Sequence, residues 1–102
     1  MKLPGMVAVK VNAWEAPGFS EEAARFLVTE RDISGVGVDT LSLDAGAAQK
    51  FVAHLAILGA AKYGIEMLAN LGRVPPSGAT VIVGAPKHDG ATGGPSRVLA
   101  LV

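Results

Sequence analysis

Two histidines, at positions 54 and 88, are the only imidazoles in this chain, and it has no cysteine. Thiolate metal sites, disulfide frames and cysteine nucleophiles are thereby excluded, leaving metal or acid–base chemistry to imidazole and carboxylate. His54 lies in an apolar run, residues 51–61, flanked by Val52, Ala53 and Leu55. Two readings fit it. It is either a core histidine satisfied by a backbone carbonyl or one half of a constellation that needs a partner. Glu66 is the carboxylate in a similarly apolar setting, Gly64-Ile65-Glu66-Met67-Leu68. A carboxylate there is costly unless it is paired, bound to a metal or protonated. Imidazole with carboxylate suits Zn²⁺ or Mn²⁺, although two donors make at best half of a site.

Two further segments are candidates for ligand binding. Asp39 and Asp44 bracket Asp39-Thr40-Leu41-Ser42-Leu43-Asp44 at the end of an expected strand. Ligands of open α/β sheets gather outside the carboxyl ends of strands, so Asp39 and Ser42 could form such a rim. The same residue types also cap turns and helices. The glycine-rich stretch 87–96, with Lys87 and Arg97 beside it, could cradle an anion through its amides, or simply connect a hairpin. It lacks the spacing of a P-loop. Ser20 and Ser42 stand outside any nucleophile-elbow context, and no catalytic residue is assigned.

The elements that must position these groups follow from pattern. Residues 6–13 are dense in valine, with Lys10 and Asn12 alternating outward, which predicts a strand. Pro17-Gly18 is a turn, Ser20 an N-cap, and Glu21 and Glu22 sit in a first turn where negative charge suits the helix dipole. Residues 20–31 are therefore predicted to be an amphipathic helix. Residues 32–43, with Ile33, Val36 and Val38 among glycines, predict a buried strand parallel to the first, completing a βαβ unit. From 45 to 70, alanine and leucine favour one long helix, whereas Gly59 and Gly64 argue for a stop near Gly59 and an extended segment over 62–68. Strands are expected at 79–85 and 97–102.

Composition narrows the partners. Nine basic and nine acidic residues cancel, without a run of either sign, so neither nucleic acid nor an anionic membrane is an expected partner. No apolar stretch approaches the ~20 residues of a membrane span. Pro4 and Gly5 sit where a signal peptide needs its apolar core, so a cytoplasmic location is expected. Half of the residues are hydrophobic and the mean hydropathy is +0.41, high for a small soluble monomer. A homo-oligomer, with a dimer as its simplest form, is the expectation.

Four motifs in order resemble the C-terminal half of the cyclase family, metal-dependent hydrolases of amides and esters that include kynurenine formamidase. The first is Pro17-Gly18-Phe19-Ser20 ahead of residues 22–27. The second is Gly35-Val36-Gly37-Val38-Asp39-Thr40-Leu41-Ser42-Leu43-Asp44. The third is His54, Leu58-Gly59 and Ile65-Glu66-Met67-Leu68-Ala69-Asn70-Leu71, and the fourth is Pro86-Lys87, Gly90, Gly93-Gly94-Pro95 and Arg97. The resemblance covers about residues 3–102 and implies that His54 and Glu66 are metal ligands. Met67 departs from it, standing where the family usually has asparagine.

The family's other ligands and its acid/base histidine come from a His-x-Gly-Thr-His-x-Asp-x-Pro-x-His motif that is not in these residues. The resemblance therefore implies a single α/β domain over 1–102, a half-domain of the swivelling β/β/α kind with one mixed sheet and one long helix. It further implies weak zinc or manganese binding and no activity alone. The alternatives are an oligomeric metal- or ligand-binding or structural half-domain, or one half of a split hydrolase completed by a partner chain.

Overall fold

A computed structural model describes residues 6–9, 16–48 and 50–102, in two compact units that divide between Gly72 and Arg73. The expected outward positions Lys10 and Asn12 lie outside the described residues.

In the first unit, β1 (Met6–Val9), β2 (Gly35–Val38) and β3 (Tyr63–Ile65) form a parallel sheet in that spatial order. Helix α1 (Glu21–Thr29) connects β1 to β2, and α2 (Val52–Leu58) connects β2 to β3. Met6 to Val9 pair with Gly35 to Val38, and Gly35 to Gly37 pair with Tyr63 to Ile65. Strand β2 is thus central, and all four of its residues are buried. Val36 and Val38 share a core with Ala24 of α1, with Ala53 and Ile57 of α2, and with Ile33 and Leu43. The small side chains of Ala24 and Ala53 let both helices approach the same face, where they pack against each other. On Gly35 a side chain is excluded, because a Cβ there would stand 2.3 Å from the Tyr63 ring.

Helix α1 starts where its local chemistry says it should. The Ser20 hydroxyl accepts the Ala23 amide at 3.1 Å, and Glu21 pairs with Arg25 one turn later on an exposed surface. Helix α2 is different. Its N-cap position, Phe51, has no side-chain acceptor to offer. Its far end closes as a Schellman motif: the Ala61 amide donates to Leu58 O at 3.0 Å and the Lys62 amide to Ile57 O at 3.1 Å. Ala61 takes the left-handed conformation, φ 60°, that this closure demands.

The second unit is a hairpin. β4 (Thr80–Gly84) pairs antiparallel with β5 (Arg97–Leu101), from Thr80↔Leu101 to Gly84↔Arg97. Its connection, residues 85–96, is exposed throughout.

Two expectations are corrected. Among the described residues there is no long helix, since α1 and α2 have nine and seven residues and the Schellman closure stops the second. Among the described residues, the parallel and antiparallel strands form separate sheets and not one mixed sheet. The helix at 20–31, the parallel buried strand, the stop at Gly59 and the extended segment beyond it are all present, each with shorter strands or helices than expected.

Gly18 fixes the entry to α1. The Phe19 amide donates to Leu43 O at 2.9 Å, and a Cβ on Gly18 would lie 2.2 Å from Asp44 C and 2.3 Å from Ala45 N. Those neighbours are backbone and cannot swing aside. Gly18→Ala is expected to destabilise the chain by about 1–3 kcal/mol, read as a lowered urea midpoint with unchanged slope.

Candidate functional site

The carboxyl ends of β2 and β3 and the start of α2 meet around one buried carboxylate. Asp44 is 3% exposed and belongs to the loop leaving β2. Its Oδ1 accepts the Ala53 amide at 2.8 Å, and its Oδ2 accepts the His54 amide at 3.1 Å. These are the second and third amides of α2, so Asp44 supplies from nine residues upstream the cap that Phe51 lacks. Oδ2 also lies 2.7 Å from His54 Nδ1. Burial pushes the Asp44 carboxyl upward, but the His54 ring and the two amides outweigh it and hold the group below its ordinary value of 3.8.

The loop that carries Asp44 is itself braced. The Ser42 hydroxyl accepts the Asp44 amide at 3.1 Å, and the Thr40 hydroxyl donates to Ser42 O at 3.0 Å. Beyond β3, the Met67 amide donates to Thr40 O and the Leu68 amide to Val38 O, each at 2.9 Å. This extends the pairing of the two chain segments and carries Glu66 to the other side of the imidazole. His54 Nε2 stands 3.2 Å from Glu66 Oε1. Met67 pays for the turn with φ 57°, a left-handed conformation that asparagine tolerates better than methionine. The Phe51 ring meets the imidazole edge-on, 5.7 Å between centroids.

The row Asp44–His54–Glu66 poses a problem of proton count. A neutral imidazole has one N–H and one lone pair, while both nitrogens face carboxylate oxygens. If Nδ1 holds the proton, Nε2 and Glu66 Oε1 present lone pairs to each other, and a cation must lie between or beside them. A proton serves, giving imidazolium. A metal ion serves equally: donors about 2.0–2.1 Å from a shared tetrahedral Zn²⁺ stand about 3.3 Å apart. The donor set therefore fits a divalent ion as two ligands, with Asp44 as the carboxylate behind the ligating ring. Among the described residues, no group of three or more histidines and carboxylates converges to hold a metal.

The structure brings His54 and Glu66 side by side, with Nε2 and Oε1 3.2 Å apart. Glu66, however, is not buried: its side chain is 37% exposed, because it stands where β3 leaves the sheet. Ser42 braces the loop rather than opening toward solvent, and Asp39, directly after β2, is half-buried. Lys87 is exposed in the connection of the second unit. Asp44 as the partner of the His54 ring was missed. A separation of ten residues across a loop matches no periodicity, and only the final position of the Asp-Thr-x-Ser-x-Asp motif pointed to it. A groove of about 330 Å³ between α1 and α2, lined by Arg25, Val28, Leu55 and Ala56 among others, excludes all three residues of the row. No helix among the described residues is long and apolar enough to cross a membrane.

Residues 5–45 match the Cyclase family model, described as "Putative cyclase". An isatin hydrolase of Roseibium aggregatum is 35% identical over 109 residues, spanning 99% of this chain and 41% of that protein. Isatin hydrolase A of Labrenzia aggregata, solved with benzyl benzoate, superposes with a TM-score of 0.80 at 44% identity, over 82% of this chain and 34% of that one. Isatin hydrolase A of Ralstonia solanacearum gives 0.74 at 31% identity, over 97% and 46%. The chain thus spans less than half the length of each of these relatives.

Removing the Asp44 carboxylate leaves two amides and a ring nitrogen without an acceptor. Asp44→Ala is expected to cost about 2–4 kcal/mol at neutral pH. Because the folded-state pKa is depressed, the ionic share of that stability is complete above 3.8 and is lost as pH falls through the lower folded value. The gap in melting temperature between wild type and variant should therefore narrow only under strong acid. A gap already closed at mildly acidic pH contradicts this assignment.

Proposed function

We propose, from its relation to the cyclase family of metal-dependent hydrolases, that this chain supplies one arm, His54 and Glu66, of a divalent-metal site for amide or ester hydrolysis. The observation that carries the reading is the 3.2 Å approach of Nε2 to Oε1, with Asp44 behind the ring. Bound there, Zn²⁺ or Mn²⁺ supplies Lewis-acid polarisation of a substrate carbonyl. His54 and Glu66 hold the ion, Asp44 holds the ring, and the Phe51 ring packs on the imidazole's edge. Isatin, the substrate named for the relatives, is the first substrate to test.

Two donors do not complete a coordination shell, and the only other imidazole in the chain, His88, is in the exposed connection of the second unit. The 102 residues alone are accordingly proposed to be inactive, with the missing donors coming from outside them. A second copy is one source, and a symmetry axis near the site would pool four ligands. Leu41, Phe51 and Met67, in the segments that surround the row, are 77%, 66% and 63% exposed, and this apolar surface, which a second chain would cover, supports this form of the reading. Asp39, at the end of β2, and separately Lys87, in the connection of the second unit, are each proposed as a contact to a small ligand. An intracellular, cytoplasmic setting is part of the same proposal.

Three outcomes are expected. Calorimetry should show weak Zn²⁺ and Mn²⁺ binding that Glu66→Gln reduces by more than about 10-fold and that weakens on acidification, since both donors must be unprotonated. If neither metal binds wild type, or if the variant binds equally well, the metal reading fails. The purified chain should not turn over isatin or an aryl formamide with either metal; metal-dependent turnover abolished by His54→Ala would refute inactivity. Sedimentation at low micromolar concentration should show an oligomer, and a stable 10.4 kDa monomer would exclude it.

A further inference from the structure

We propose that Asp44 is a positioning residue that sets the tautomer of His54, holding the proton on Nδ1 and so keeping Nε2 as a bare donor aimed at the side of Glu66. The inference rests on the reading of His54 and Glu66 as cation donors and adds how the first of them is kept competent.

Two carboxylates compete for the single proton of a neutral ring, and the geometry favours one. Asp44 Oδ2 is 2.7 Å from Nδ1, while Glu66 Oε1 is 3.2 Å from Nε2. The Asp44 side chain is 3% exposed and that of Glu66 37%, so the hydrogen bond to Asp44 is both shorter and better shielded from water. Asp44 also cannot turn away. Its two oxygens are committed to the Ala53 and His54 amides, and its own amide is bonded to Ser42. Helix, ring and carboxylate therefore form one rigid unit: the same oxygen that accepts the His54 main-chain amide accepts the ring of that residue. Among the described residues, Glu66 has no such bracing, its one side-chain contact being the His54 ring.

The tautomer is directly readable. Long-range ¹H–¹⁵N correlation spectra of the metal-free protein, recorded above the histidine titration range, separate protonated from bare ring nitrogens. The His88→Gln variant identifies the His54 signals. Wild type should show Nδ1 protonated and Nε2 bare, the less common form of a free imidazole, and Glu66→Gln should leave that pattern unchanged. Asp44→Asn places an amide NH₂ or a neutral oxygen opposite Nδ1. It is expected to move the proton to Nε2 and to weaken Zn²⁺ binding by about 10–100-fold, while far-ultraviolet circular dichroism stays native. A merely structural Asp44 would lower stability and leave the tautomer alone. Should Asp44→Asn fail to fold, the wild-type and Glu66→Gln spectra decide by themselves. Nε2–H in wild type, or Nδ1–H retained in a folded Asp44→Asn, overturns the inference. Absence of Zn²⁺ binding by a wild type that shows Nδ1–H overturns the metal reading instead, so the two failures are distinguishable.

Discussion

One buried carboxylate organises this molecule. Helix α2 has seven residues, too few to be stable alone, and begins at a position whose own side chain cannot cap it. Asp44 reaches it from the preceding loop and satisfies two of its free amides. That contact decides where the helix starts, and therefore which of its residues face the sheet: Ala53 and Ile57 turn inward, and His54 emerges at the rim. The loop must in turn be held, and it is, by Ser42 and Thr40 within and by Phe19 and Met67 from either side. Ionisation of Asp44 is thus a condition of the local fold as well as of the site.

The dependence runs outward through β2. Val36 and Val38 face the helices and fill the core, while Gly35 leaves room for the Tyr63 ring on β3. Partial desolvation raises the Tyr63 phenol above its ordinary value. A parallel three-stranded sheet this short has few hydrogen bonds, and the bonds that Met67 and Leu68 make beyond β3 lengthen the effective pairing at the end nearest Asp44 and His54.

What was legible in the sequence was what depends on neighbours a few residues apart. Ser20 followed by two glutamates marks α1, and valines alternating with glycine mark β2, because capping and side-chain alternation are local. His54 and Glu66 were legible as a pair from their polarity in apolar surroundings, and the motifs they share with cyclases strengthened that. The expectation of a buried Glu66 failed because an apolar run of five residues need not be inside when it straddles a strand end. The long helix failed for a related reason: alanine and leucine propensity cannot register that Ala61 will turn left-handed and that Lys62 will donate back to Ile57. The Asp44–His54 link spans a loop, and nothing in periodicity reports on loops. Nor could pattern show that, among the described residues, β4 and β5 pair with each other and not with the parallel sheet, because alternation marks a strand without naming its neighbour.

The row Asp44–His54–Glu66 has an electrostatic ledger of its own. With both carboxylates ionised and the ring neutral it carries two negative charges within a few ångströms; a ring proton cancels one of them, and a divalent cation cancels both. A monovalent ion such as sodium leaves the same residual charge as the proton while forming weaker bonds to nitrogen. For the cation site proposed above, valence more than cavity size would therefore be the quantity discriminated, and among divalent ions the imidazole would tilt the choice from magnesium and calcium toward the first-row metals.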